Sequence, residues 1–141
     1  MTPLEVAEPM SIELILLIGA VILGFVHLFL AAAAMTRQYG GKWNASPRDE
    51  TMPPLQGVAG RLDRAFRNFR ETFPFFAVAV LAAEVTGRHN DLTFFGAAIY
   101  LAGRIVYLPL YAFGVPVARS IVWGVASLGI ILVLFGLLQA A

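Results

Sequence analysis

The run SIELILLIGAVILGFVHLFLAAAAM, from about Ser11 to Met35, limits the fold more than any other feature of the chain, because it holds no charge after Glu13. Crossing a hydrocarbon core of about 30 Å takes roughly 20 mainly apolar residues in helical form, and a backbone in lipid must satisfy its own hydrogen bonds. Three further apolar windows follow, at about 69–84, 92–113 and 117–138. Composition agrees: 59% of the 141 residues are hydrophobic and 13% charged, with a mean hydropathy of +0.76, too apolar for an ordinary soluble domain. The sequence predicts an all-α integral membrane protein, a single four-helix bundle covering 1–141.

The links support antiparallel neighbours. Between the first two windows, a loop over about 36–60 is rich in Gly, Pro and charge and shows no periodic apolar face, so it reads as solvent-side. "TGRHND" and "FGVP" are short, as hairpin connections in a bundle are. The first run is too long for a cleavable signal and is preceded by Glu5, Glu8 and Glu13 rather than by a basic segment, so it reads as a retained span. Arg37, Lys42, Arg48, Arg61, Arg64, Arg67 and Arg70 gather around the long loop, whereas the opposite side has mainly Arg88. Basic loops stay in the cytoplasm, which predicts a cytoplasmic loop and both termini outside. The formal net charge of +1 needs no nucleic-acid partner to explain it. Without cysteine there is no disulfide framework, thiolate metal ligand or cysteine nucleophile, and no metal site is expected. Any thiol chemistry must use a thiol from outside the chain.

Polar residues recur at one end of the predicted bundle. In "RAFRNFRETFPF", from Arg64 to Phe75, helical spacing aligns Arg64, Asn68 and Glu71 with the preceding Arg61, and places Arg67 four residues before Glu71. Pro74 removes a backbone hydrogen bond nearby, and a carboxylate at this depth needs a partner or a wet cavity. A second stripe, Arg104, Tyr107 and Tyr111, is followed by Pro109, Pro116 and Arg119. Arg37 ends the first helix on the same side. Together these residues predict a cytoplasm-facing cationic pocket with one or two carboxylates and several hydroxyls, suited to a small anion that carries an amine.

Plainer roles are open to the same residues. The arginines can set orientation with snorkelling side chains, and Tyr107 and Tyr111 can belong to an interfacial aromatic belt. Arg104, deep in a span, reads as structural, paired with a carboxylate such as Glu71 or Glu84. His27 reads as a hydrogen-bonded packing residue, and His89 as solvated. Gly19, Gly24, Gly96, Gly103, Gly124 and Gly129 read as close contacts between helices, and Trp43 and Trp123 as interface residues.

The spacing of Arg64, Arg67, Asn68, Glu71 and Pro74 resembles the Arg-x-x-Arg-Asn-x-x-Glu-x-x-Pro-Phe signature of the MAPEG family, the membrane-associated proteins in eicosanoid and glutathione metabolism. "GRIVYLPLY…PVARS" is similar to that family's third-to-fourth helix segment. Trp123 stands where some members carry tyrosine, and Thr72 where certain members carry an aromatic hydroxyl. The resemblance, to a bacterial-type member, implies a homotrimer in the inner membrane with glutathione bound between adjacent subunits. It implies that Arg64, Arg67, Asn68 and Glu71 bind the tripeptide's charged ends, that Tyr107 and Tyr111 line the site, and that Arg37 reaches a carboxylate. Arg119 then lies beside the sulfur as the catalytic residue, with Ser120 as a second donor.

The leading expectation is a glutathione-dependent transferase or peroxidase acting on lipophilic electrophiles or lipid hydroperoxides that enter from the bilayer. The alternative is a non-catalytic membrane protein that holds an anionic lipid or a small thiol in the same pocket. A transporter or channel subunit is disfavoured by the few deep charges and the lack of an inverted repeat.

Overall fold

A computed structural model describes residues 9–139; Glu5 and Glu8 lie outside them. Every regular element described is helical: α1 (Ile12–Tyr39), the short α2 (Gly41–Asn44), α3 (Gly57–Thr86), α4 (Asp91–Ala112) and α5 (Pro116–Gln139). The four long helices pack against one another, with α4 and α5 forming the most extensive pair and α1 and α3 the next.

Three helices, α1, α4 and α5, are long and apolar enough to cross a membrane. α3 is not one of them, because its first half carries Arg61, Asp63, Arg64, Arg67, Arg70 and Glu71. It also begins at Gly57 rather than near Phe69. The loop predicted over 36–60 is therefore shorter, with α2 inside it. Ala59, Leu62, Ala65 and Phe69 are buried at helical spacing, so the segment does have a core-facing stripe. Small residues make most of it, which hides it from a search for apolar runs. The remaining loop folds back on α1: Tyr39 Oη donates to the Pro53 carbonyl at 2.5 Å, and Gln38 Nε2 to that of Pro54 at 3.1 Å.

Sharp ends come from specific residues. Ser11 caps α1 by accepting from the Leu14 amide. Asn90 and Thr93 form a reciprocal capping box at α4. Gly87 ends α3 at φ 65°, a left-handed conformation that glycine adopts without a side-chain clash. α4 and α5 meet backbone to backbone: a Cβ on Gly96 would lie 2.5 Å from the Gly129 carbonyl oxygen, and one on Gly103 would lie 2.9 Å from the Ala126 Cβ. Gly19 and Gly24 likewise face Leu101 and Phe69, but Gly124 has nothing within 4 Å and is no helix contact within the chain. Most of the outer surface is apolar, as Ile15, Ile22, Phe29, Val78, Ile121 and Ile131 illustrate, which suits hydrocarbon.

The interior has two apolar clusters. One contains Leu17, Ala20, Phe76, Val80, Tyr100, Ile130 and Val133, and the other Ala31, Leu62, Ala65, Tyr107 and Leu108. In register between them on α1, α3 and α4 lie His27, Asn68 and Arg104. Away from this layer, at the far end of the bundle, Thr93 Oγ1 donates to Glu13 Oε1 at 2.6 Å and Ser11 Oγ to Glu84 Oε2 at 2.5 Å. His89 bridges the two carboxylates, at 3.3 Å from Glu13 and 3.7 Å from Glu84. His89, expected to be simply solvated, is part of this junction because the α3–α4 turn lays it across the start of α1.

Candidate functional site

The turn from α4 to α5 builds one end of the bundle. Gly114, at φ 75°, reverses the chain, and Pro116 opens α5, a position where its missing N–H costs no helical bond. Arg119 therefore falls in the first turn of α5. The helix dipole there favours anions, so a cation at this position adds to the positive potential. The guanidinium is supported by the Tyr111 ring, whose centroid lies 4.4 Å away.

Asn68 from α3, Tyr107 and Tyr111 from α4, and Arg119, Ser120 and Trp123 from α5 line one cavity of about 270 Å³. The two tyrosine rings lie 5.4 Å apart at 62°. Arg104 packs beside this wall, its guanidinium 4.6 Å from the Tyr107 ring centroid and 5.4 Å from that of Phe69. Its Nη1 donates to Asn68 Oδ1 at 2.9 Å. A guanidinium can only donate, so this bond fixes the orientation of the amide. With its oxygen engaged, Asn68 offers a donor to the cavity it lines. Ser120 Oγ donates to the Pro116 carbonyl at 3.1 Å.

Arg104 is fully buried, and its Nε and Nη2 have no hydrogen-bond partner. Its expected carboxylate partner is not found: Glu71 is exposed, Glu84 meets Ser11 and His89 at the far end, and Asn68 takes the place of an acid. His27 is buried and stacks on Phe69 at 4.9 Å, so it packs as expected, but neither ring nitrogen has a hydrogen bond. Trp123, read from sequence as an interface residue, is part of the cavity wall.

The nine sequence-derived candidates thus divide. Asn68, Tyr107, Tyr111, Arg119 and Ser120 share the cavity. Arg64, Arg67 and Glu71 are exposed on α3. Arg67 does not pair with Glu71 but with Asp63, at 3.1 Å, because the preceding turn offers a carboxylate at the same four-residue spacing. Arg37 is exposed and lines a separate groove with Leu30, Gln38 and Leu62. Among the described residues, no group of His, Asp or Glu is arranged to hold a metal.

What the cavity can do chemically follows from its donors. A guanidinium, an amide N–H and tyrosine hydroxyls surround a space that contains no carboxylate, so it suits anionic or acceptor-rich groups and stabilises negative charge. A family model described as MAPEG family matches residues 16–139, nearly the whole chain. No curated protein and no solved structure matches it.

Proposed function

The chain belongs to the MAPEG family and is a membrane protein of eicosanoid and glutathione metabolism; on that premise we propose that it is a glutathione-dependent transferase or peroxidase acting on lipophilic electrophiles or lipid hydroperoxides. The observation that carries this reading is the convergence of Arg119, Tyr111, Tyr107, Asn68 and Ser120 on one donor-lined cavity. Such a donor set fits glutathione, a peptide with two carboxylates and a thiol that becomes reactive on losing its proton.

Bound glutathione supplies the thiol that this cysteine-free chain lacks. Arg119 stabilises negative charge on the sulfur, aided by the dipole of α5, and so draws the thiol below its ordinary pKa of about 8.5. Tyr111 keeps the Arg119 guanidinium in place, and Ser120 serves as a second donor beside it by turning its one hydroxyl proton away from the Pro116 carbonyl. Asn68, oriented by Arg104, donates its amide N–H to an acceptor oxygen, and Tyr107 closes the wall. Arg64 and Arg67 take carboxylates, and Glu71, one turn from Asn68, takes the amine.

Arg64, Arg67 and Glu71 are exposed on the single chain although the helix that bears them packs among apolar spans. Charged groups at such depth need polar company. We infer a homotrimer in which α3 serves as a fourth span and each site lies between adjacent subunits. Arg37, which lines a different groove of its own chain, reaches the site from a neighbour. The arginine distribution supports placing this end and the long loop in the cytoplasm, with both termini outside; the bacterial inner membrane is proposed from the family resemblance alone.

The test is an ultraviolet difference titration of the detergent-solubilised protein with glutathione near neutral pH. Saturable thiolate absorbance is expected, and Arg119→Ala is expected to abolish it while calorimetry still detects most of the binding. Binding without thiolate in the natural protein would leave a non-catalytic ligand-binding protein. Neither heat nor absorbance would remove glutathione from the site.

A further inference from the structure

The end of α4 carries a cap that another helix completes. The Pro109, Leu110 and Tyr111 carbonyls accept from the Phe113, Val115 and Gly114 amides at 2.9, 2.9 and 3.1 Å. The last two bonds form a Schellman ending, with Gly114 in the left-handed conformation that such an ending uses. The carbonyl of Ala112, the last residue of α4, goes instead to a side chain: Arg61 Nε, from α3, donates to it at 2.8 Å. A helix leaves its last four carbonyls to be satisfied from outside the ladder, and its dipole favours a cation at that end. The stem of Arg61 lies along Gly114, where a Cβ would meet the arginine Cδ, Nε and Cζ at 3.6, 3.7 and 3.8 Å.

What this contact holds is the short path from Tyr111 to Arg119. Only Phe113, Gly114 and Val115 separate α4 from α5. Phe113 and Val117 are exposed, so burial of these side chains does not fix the direction of the turn. On α3, Arg61 and Asn68 are seven residues apart and share a face. Both are tied to α4, Asn68 through the Arg104 side chain and Arg61 through the Ala112 carbonyl. Along α4 the two ties lie about 12 Å apart, at 1.5 Å of rise per residue. They bracket Tyr107 and Tyr111, the second of which supports Arg119. The deeper tie orients the Asn68 amide, and the shallower one sets where α5 begins.

We propose that Arg61 is a positioning residue for thiolate formation: by holding the α4–α5 turn against α3, it keeps the Arg119 guanidinium beside Tyr111 and at the sulfur. The proposal rests on the glutathione reading above. Arg61 is not among the residues that line the tyrosine cavity, so its influence passes through the turn. Arg119 follows Pro116 within one helical turn, and a displaced start of α5 carries the guanidinium with it. Attraction between that cation and a thiolate falls as they separate.

The test follows thiolate absorbance against pH, with saturating glutathione, and amide hydrogen exchange over residues 111–119, both on the detergent-solubilised full chain. Arg61→Met keeps an apolar stem but removes the donor. It is expected to raise the titration midpoint of the bound thiol by about 0.5–1 unit, a fraction of the 1–3 units that an adjacent cation is worth in full. Exchange at the Gly114 and Val115 amides is expected to quicken in the same variant. Arg61→Lys retains a donor for the carbonyl and is expected to keep both properties near those of the natural chain; circular dichroism verifies that each variant is folded. A shifted midpoint with unchanged exchange would mean that Arg61 acts on the thiol by its charge alone, and faster exchange with an unmoved midpoint that the turn does not govern Arg119. Either result overturns the proposal, as does Arg61→Lys behaving no better than Arg61→Met. A natural chain that forms no thiolate would overturn the glutathione reading and this role with it, whereas a natural thiolate that survives Arg61→Met unchanged would overturn this role alone.

Discussion

The Arg104 guanidinium and the Asn68 side-chain oxygen form a 2.9 Å hydrogen bond that ties α4 to α3 beside the tyrosine cavity. It gives a fully buried cation a neutral acceptor, while the rings of Tyr107 and Phe69 supply further attraction. The same bond sets which end of the Asn68 amide is available to a ligand.

Breaking this bond from its two sides has unequal consequences. Asn68→Leu leaves a buried guanidinium without its acceptor and is expected to destabilise the protein by about 2–4 kcal/mol. Adding Arg104→Met to that variant removes the stranded charge and is expected to recover part of the loss. Thermal unfolding in detergent of the two single variants and the double variant measures this; strictly additive losses would show that the two side chains are not coupled.

Tyr111 is predicted to act through Arg119, since the ring lies 4.4 Å from the guanidinium. Tyr111→Phe retains that contact and should preserve glutathione thiolate formation. Tyr111→Leu removes a contact of about 0.5–1 kcal/mol and should move the bound thiol's titration midpoint upward by a few tenths of a unit, at about 1.4 kcal/mol per unit. A titration of thiolate absorbance against pH distinguishes the two variants.

Gly96 and Gly124 provide a contrast in packing. A Cβ on Gly96 would meet the Gly129 carbonyl at 2.5 Å, whereas one on Gly124 would meet nothing within 4 Å. Gly96→Ala is therefore expected to force α4 and α5 apart and lose about 1–3 kcal/mol. Gly124→Ala is expected to be neutral or to gain up to about 1 kcal/mol from helix propensity. Parallel unfolding curves check both.

At the opposite end, Thr93→Val is expected to cost about 1–3 kcal/mol, because the buried Glu13 carboxylate loses its 2.6 Å donor. Glu13→Gln keeps a hydrogen-bonding side chain there and should cost less. Faster amide hydrogen exchange over the first turns of α1 in Thr93→Val would locate the damage; unchanged exchange would show that this contact does not anchor the helix.

Much of this site was legible before any folding was considered. The helical spacing of Arg64, Asn68 and Glu71, and of Arg104, Tyr107 and Tyr111, is local, and the FGVP turn brings Arg119 back toward Tyr111. The spacing could not choose among partners. Arg67 had Asp63 and Glu71 at equivalent distances along one helix, and Arg104 could meet an acid or an amide with no change in its own pattern. The first turns of α3 give no apolar run because Ala59, Gly60 and Ala65 bury a stripe without making it strongly apolar.

By itself, the sequence determined what depends on neighbours along the chain: four apolar windows, three of which form helices long and apolar enough for a bilayer, the short links between the later ones, the resemblance to the MAPEG family, and a polar motif near one end. Only the tertiary structure decided which of those polar residues share a space. It put Asn68, Tyr107, Tyr111, Arg119 and Ser120 around one cavity, left Arg64, Arg67 and Glu71 facing outward, and gave Arg104 an amide for a partner. The physical reason is that helical periodicity sets the direction of each side chain about its own axis. The rotation and offset between helices come instead from close packing, here the backbone contact of Gly96 with Gly129 and the interlocked side chains of α1, α3 and α4.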